Sequence, residues 1–404
     1  MEAYFDEESP QSKNYFVRHW RGELSLPISY WVNATLIAGL VPIPLLYLSS
    51  QVEQRAGSIQ FASVVLMLIL TVSISMSIWA IVGTWRSSNH HSMRGGSEGW
   101  ANAAKFFMFM GALRLLAQVA GMGPFVLETS QLAVGIDSMG APAKVVVSGL
   151  DLSIIGPISL GTADLVDRAL IDNPKVRRVL LSSLGGRLGE AAQISEQIAA
   201  RQMNTVARGE CSSACTMILL AGADRSAAAG SKIGFHGPSY PGLGVVELNP
   251  AESMMADSYR AAGLVDTFVT SALAVAPSDM WYPKETELFK VGVLNFIDAE
   301  RITQGHELEA LEYRNKLPFR LDDRTIIRSV VTYGTTIKYK YTVDIAPGQI
   351  SFAEAQKLLK GDVMRQVCRQ PLVPEAIASG SRYVYTYDYS TGGRFTNFTI
   401  DDCD

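Results

Sequence analysis

Residues 179–186 read Val-Leu-Leu-Ser-Ser-Leu-Gly-Gly, residues 205–215 read Thr-Val-Ala-Arg-Gly-Glu-Cys-Ser-Ser-Ala-Cys, and residues 232–238 read Lys-Ile-Gly-Phe-His-Gly-Pro. Each is a short β-rich run that ends at glycine or at a small polar cluster, the punctuation expected where a strand stops and a turn begins. Working outward, Val145 to Val147 reads as a buried strand, and residues 162–171 as a helix stopped by Asn173-Pro174. Residues 179–182 form the next strand, and residues 190–201 a helix with Ile194 and Ile198 four apart on one face. Residues 205–207 read as another strand; a tight turn at Gly209 then leads into an apolar helix from about Ser212 to Leu220. Strand and helix alternate in register, which is the pattern of an α/β fold.

Four pieces carry a more specific signal. Leu181-Ser182-Ser183-Leu184-Gly185-Gly186, Gly209-Glu210-Cys211-Ser212-Ser213-Ala214-Cys215, Ala221-Gly222-Ala223-Asp224-Arg225 and Gly234-Phe235-His236-Gly237-Pro238 follow one another in that order. In order and spacing they resemble the Clp protease proteolytic subunit and its signal-peptide-peptidase relatives, over about residues 143–300. The resemblance implies a ClpP/crotonase-like ββα superhelix domain in which a Gly-Gly turn supplies an oxyanion amide, a serine opens a helix, and a histidine ends a later strand. Carried onto this chain, Ser213 is the nucleophile and His236, 23 positions on, the base, with the Gly186 and Ala214 amides as oxyanion donors. Ser212 competes with Ser213; the family pattern puts the reactive serine directly before the small residue. Asp279-Met280-Trp281-Tyr282-Pro283 resembles the family's acid segment, which makes Asp279 the orienting carboxylate. Its competing role is to cap the next helix, and Glu285 and Asp257 are the substitutes. The absence of a G-x-S-x-G elbow argues against an α/β-hydrolase. Cys211 and Cys215 depart from the Clp subunit. Neighbours four apart on a helix rarely meet disulfide geometry, so they are expected to pack as small hydrophobes rather than bridge.

The chemistry also stands on the residues themselves. A serine hydroxyl is a poor nucleophile until a base takes its proton, and a helix N-terminus favours the developing negative charge. On local sequence alone Ser213 reads first as a helix N-cap, and the lesser, competing role of His236 is a hydrogen-bonded residue ending a strand. Five histidines are present: His19, His90 and His91 fall in segments read below as cytoplasmic, which leaves His236 and His306 to reach an exported serine.

Of 404 residues, 48% are hydrophobic and 18% charged, and mean hydropathy is +0.14. The excess lies before about residue 130. Residues 28–48 and 59–82 contain no charge and have the length of a membrane-crossing helix. Residues 106–125 form a third run; its single charge, Arg114, costs about 2.5 to 3.5 kcal/mol near mid-bilayer. Pro42 and Pro44 are expected to kink the first span. Lys13, Arg18 and Arg21 mark the tail, and Arg86, Arg94 and Lys105 the second loop, as cytoplasmic, against only Arg55 in the first loop. Three spans then place the globular portion outside the inner membrane, in a multi-pass protein without a cleavable signal peptide in the usual place. Trp20-Arg21-Gly22-Glu23 and Trp85-Arg86-Ser87 resemble a small membrane module that recurs in bacterial proteins, which implies no activity. The expected organisation is a tail at 1–27, a membrane segment at 28–130, a catalytic domain at 143–305 and a small α+β domain at 318–404.

In that last domain residues 325–343 and 383–400 read as strands, and residues 352–368 as an amphipathic helix. It resembles a C-terminal domain of other exported bacterial proteins in which a cysteine after the helix and one near the end recur, as Cys368 and Cys403 do; an oxidising compartment would join them. Four cysteines without paired CxxC spacing offer no structural zinc site, and no cofactor is expected. A net charge of −4 with no basic stripe excludes nucleic acid as the expected partner. The expected function is a membrane-anchored, ATP-independent serine peptidase, since a domain outside the membrane has no access to a cytosolic ATPase. Its partners are a polypeptide substrate, the lipid bilayer and further copies of itself. The competing readings are a catalytically inactive scaffold of the same fold and a crotonase-type acyl-CoA enzyme.

Overall fold

The computed structural model describes residues 13–40, 59–241 and 249–403. It divides into two compact units: residues 1–141 with 239–248, and residues 142–238 with 249–404.

In the first unit a short helix α1 (Tyr15–Trp20) precedes the first apolar run, which begins as a π-helix (Ile28–Ile37) and continues as an α-helical turn (Ala38–Leu40). The rest of that run, with Pro42 and Pro44, and the loop after it, with Arg55, lie outside the described residues. The second run is α2 (Ile59–His91), 33 residues or about 50 Å at the α-helical rise. The third is α3 (Glu98–Gly121), which stops at Met122; Gly123-Pro124 then open α4 (Gly123–Ala133). Both α2 and α3 are long and apolar enough to cross a membrane. Leu68 and Leu116 are exposed, an outward apolar surface that suits lipid better than water. The end of α2 and the turn that follows it grip the turn after α1: Arg86 donates to Trp20 O and lies over its ring, Ser87 and Arg94 donate to Leu24 O, and Arg94 also donates to Gly22 O. Gly22, at φ 73°, passes so close that a Cβ there would lie 2.6 Å from the Arg86 carbonyl carbon.

The second unit contains two sheets. The first comprises β1 (Lys144–Ser148), β2 (Asp151–Ile155), β3 (Arg178–Ser183), β4 (Asn204–Ser212), β5 (Arg225–Ala227) and β6 (Lys232–Gly234). β1 and β2 form an antiparallel hairpin; β2, β3 and β4 run parallel in that order. β4 then serves two neighbours in turn: residues 205–207 pair with β5, and residues 210–212 with β6. The changeover falls at Gly209, φ 86°, where the register against β3 also shifts, so the expected turn is a kink inside one long strand. The helices α5 (Thr162–Asp172), α6 (Leu188–Ala200) and α7 (Ala214–Leu220) alternate with the strands. Leu152 and Ile154 of β2 and their register partners Val179 and Leu181 of β3 line one face of the sheet and are fully buried in a single core with Ile194 and Ile198 of α6. Three further helices, α8 (Asn249–Ala261), α9 (Asp266–Leu273) and α10 (Glu285–Lys290), complete this part.

A long helix α11 (Ala299–Arg314) leads into the second core, into which Ala310 and Tyr313 pack. There β7 (Phe319–Arg320), β8 (Thr325–Tyr333), β9 (Thr336–Val343), β10 (Arg382–Tyr389) and β11 (Arg394–Ile400) lie side by side in the order 11-10-9-8-7, with only β9 and β10 parallel. Between them come α12 (Phe352–Val367) and α13 (Val373–Ala378). Alternation along β9 and β10 turns Tyr339, Tyr341, Tyr385 and Tyr387 to one face, where they stack with ring centroids 4.6 to 6.3 Å apart. Cys368 and Cys403 are joined by a disulfide, Cα atoms 5.8 Å apart.

Candidate active site

The end of β3 builds the first wall. Leu184 is exposed, and the two glycines behind it adopt φ 102° and 153°, which side chains rarely tolerate. Space demands glycine as strongly: a Cβ on Gly185 would lie 2.7 Å from Ser212 O and from Ser213 Cβ, and one on Gly186 would lie 2.3 Å from Ile158 O. Ile158 forms a bridge to this turn, donating to Gly185 O at 2.9 Å and accepting from Arg187 N–H at 2.8 Å. That pattern leaves the Gly186 N–H with no acceptor among the described residues.

Opposite lies Ser213, between β4 and α7. Its backbone sits at φ 56°, ψ −128°, a sparsely populated conformation for a residue with a side chain, and such strain persists only where the surroundings over-determine it. The determinants are visible. Ser213 N–H donates to Gly234 O at 2.9 Å, which docks the turn on β6. Its carbonyl accepts from Thr216 N–H and from Thr216 Oγ1, the latter at 2.6 Å, and that hydroxyl in turn sits 2.7 Å from the buried Tyr259 hydroxyl. Ser213 is half-buried, and its Oγ has no hydrogen-bond partner among the described residues. The following amide, Ala214 N–H, is also without an acceptor among the described residues, and the position of Gly185 brings it beside the glycine turn.

Ser212, the competing nucleophile, differs in every respect. It is fully buried, and its Oγ donates to Glu210 Oε1 at 2.9 Å, an oxygen that also accepts from the Tyr282 hydroxyl at 2.5 Å. This bond pushes the Tyr282 phenol above its ordinary value, because ionising it would place a second negative charge beside the carboxylate.

His236 lies two residues beyond Gly234, the residue that receives the Ser213 N–H. Phe235 between them is fully buried and exchanges both backbone hydrogen bonds with Trp281, which fixes the strand that carries the histidine. The ring is half-buried, with Nδ1 2.6 Å from Gly237 O. A carbonyl oxygen can only accept, so the neutral ring carries its proton on Nδ1 and keeps the Nε2 lone pair free, the tautomer of a general base. Burial pushes the imidazole below its ordinary value of 6.5, opposed by the bond to Gly237.

The other candidates are placed as follows. Asp279 is exposed, its N–H donates to Ala276 O, and its carboxylate makes no hydrogen bond to His236. Glu285 is held in a bidentate ion pair by Arg301, and Asp257 pairs with Arg260 on α8. His306 is buried in the C-terminal half, Nε2 3.0 Å from Ser381 Oγ, with its ring against Tyr383. Among the described residues no cluster of His, Cys, Asp or Glu could hold a metal ion.

One expectation is overturned. Cys211 and Cys215 are joined by a disulfide, Cα atoms 5.3 Å apart. The expectation assumed both on one helix, but Cys211 belongs to β4 and Cys215 to α7, and the turn at Ser213 folds one back on the other. Glu210, Tyr282, Thr216 and Tyr259, which shape the turn, carried no signal in the sequence beyond their chemistry.

No family model matches the chain, and no curated protein does. Among solved structures, a variant of a membrane-bound stomatin-specific protease is similar at 17% identity and TM-score 0.31, over 37% of this chain and 82% of that one. ClpP1 from Listeria monocytogenes is similar at 17% identity and TM-score 0.32, over 36% of this chain and 89% of its own. A substituted form of ClpP1 gives 18% and 0.31 over 36% and 90%. At these TM-scores the likeness fixes neither family nor chemistry, and the reading of the site rests on its own geometry.

Proposed function

We propose that this chain is a membrane-anchored serine hydrolase, an ATP-independent peptidase that cuts polypeptides at or outside the inner membrane. The observation that carries the reading is the strained turn at Ser213, whose hydroxyl has no hydrogen-bond partner among the described residues and whose following amide, Ala214 N–H, lies beside the Gly185 turn. His236 Nε2 removes the proton from Ser213 Oγ as the oxygen bonds to the scissile carbonyl carbon, and the Gly186 and Ala214 N–H groups receive the oxyanion. The imidazolium then gives that proton to the departing amine as the C–N bond breaks, and a water activated by the same ring releases the acyl group. Gly237 O holds the ring in the productive tautomer. Asp279, on the segment that pairs with the histidine's strand, is the sequence's candidate for the orienting acid; with Gly237 O already accepting from Nδ1, it is the most dispensable member.

Full-length protein in detergent, treated with a fluorophosphonate probe and a casein substrate, tests this. Ser213→Ala and His236→Ala should each abolish nearly all labelling and turnover, with little further loss when combined, because the pair acts as a unit. Ser212→Ala should cost much less and Asp279→Asn an intermediate amount. Equal labelling of wild type and Ser213→Ala would refute the nucleophile. A wild type that is never labelled and cleaves nothing would replace the enzyme with an inactive scaffold of this fold.

A further inference from the structure

We infer that the Cys211–Cys215 disulfide is a positioning element of the proposed hydrolase, a covalent clamp that holds Ser213 and the Ala214 amide in their reactive arrangement. This rests on the reading of Ser213 as nucleophile. The bond closes a small ring whose interior residues are Ser212, Ser213 and Ala214, so the proposed nucleophile and one oxyanion donor both lie inside it. Each end is anchored in something rigid. Cys211 is central in the sheet, paired with Ser183 of β3 on one side and with Ile233 of β6 on the other. Cys215 belongs to α7, every residue of which is buried. The bridge therefore ties the sheet to the helix across the one residue between them whose backbone is strained, at φ 56°.

Two other roles fit less well. A staple for overall stability gains most when it closes a long loop, because its effect grows with the chain it constrains. This bridge spans four positions, against 35 for Cys368–Cys403, so its influence is local. A surface redox sensor needs an accessible sulfur, whereas both cysteines are fully buried in the hydrophobic core. What remains is the geometry of the turn. Without the bond, the hydrogen bonds from Ser213 N–H and to Ser213 O must hold the strained backbone alone, and relaxation there swings Oγ and the Ala214 N–H together. His236 lies outside the ring, so the base should be unaffected.

The test is full-length Cys211→Ala/Cys215→Ala, assayed for fluorophosphonate labelling rate, kcat, KM and the pH midpoint of activity. Labelling rate and kcat should fall by about tenfold or more, because misplacement of reacting groups by a full ångström costs about 10²-fold and a partial relaxation a fraction of that. KM and the pH midpoint should stay unchanged, which loss of fold or a general structural role would not produce. Should the variant fail to fold, a second measurement decides. Cys368→Ala/Cys403→Ala protein, with only the short bridge left, is treated with a phosphine in enough denaturant to open the buried turn until mass spectrometry finds two thiols, returned to native buffer, then reoxidised; labelling should be lost in the reduced protein and regained on reoxidation. Labelling within about twofold of wild type in the bridge-free protein overturns the clamp and leaves the hydrolase standing. A wild type that is never labelled overturns both.

Discussion

Replacing Gly185 by alanine isolates the contact between the glycine turn and the nucleophile. The added Cβ would meet Ser212 O and Ser213 Cβ at 2.7 Å and the Ala214 nitrogen at 3.0 Å, where ordinary contact begins at 3.4 Å. The turn must retreat by roughly 0.7 Å, and two of the three atoms it presses on belong to the proposed nucleophile and oxyanion donor. Displacements near an ångström at reacting groups cost about 10²-fold, and loss of one oxyanion donor about 10² to 10³-fold, so kcat should fall by about 10² or more. The backbone at φ 102° adds strain of about 1 to 3 kcal/mol, which lowers the melting temperature by several degrees. Gly209→Ala is the control. It bears the same kind of strain, at φ 86°, but its Cβ meets only Ser182 Oγ at 3.6 Å. It should lose comparable stability and keep its labelling rate. The assay is fluorophosphonate labelling of detergent-purified protein beside a thermal melt. Gly185→Ala labelled at the wild-type rate would refute the apposition of the turn and Ser213, as would equal losses of activity in the two variants.

Because burial lowers the His236 imidazole, the unfolded chain binds more protons than the folded one between the lowered value and 6.5. Stability contributed by the neutral ring therefore rises with pH across that window and is lost as pH falls through the folded value, with buried His306 adding to the same slope. Activity needs the neutral ring, so its acid midpoint, read from kcat/KM against pH, should lie below 6.5; a midpoint above it contradicts the burial argument. Removing Cys368 and Cys403 together should destabilise the C-terminal half by about 3 to 4 kcal/mol through loss of a 35-position bridge, measured by denaturant melts, with labelling of Ser213 retained. Reporter fusions should place residue 95 in the cytoplasm and residue 310 outside it, from the Lys and Arg asymmetry; cytoplasmic signals at both positions would remove the export step.

The alternating elements of residues 144–234 were legible because β3, with Val179, Leu180 and Leu181 all buried, writes a continuous apolar run and glycines punctuate the chain. The extent of β4 was not. A kink at Gly209 looks in sequence like the end of a strand, and only pairing with β6, some twenty residues later, shows that Glu210 to Ser212 continue it. That error produced the wrong expectation for Cys211 and Cys215, since a spacing of four means opposite things on a helix and across a folded turn. The choice between Ser212 and Ser213 was posed by sequence, but the burial of Ser212 and its bond to Glu210 depend on tertiary position. The acceptor for His236 Nδ1 was invisible for a different reason: a backbone carbonyl carries no residue type, and its direction is set by the strand that Phe235 and Trp281 build together.

That pairing of Phe235 with Trp281 has an optical consequence. Of the six tryptophans, five precede residue 101, and Trp281 is the only one in residues 142–404. Its indole packs on Phe235 and Phe268, one residue along the paired strand from the imidazole proposed as base. With the other five replaced by phenylalanine, the emission of Trp281 becomes a local gauge of whether this strand is in place. The stacked tyrosines of the C-terminal sheet supply a separate near-ultraviolet dichroism signal, so the two halves of the unit can be followed independently through a single unfolding transition.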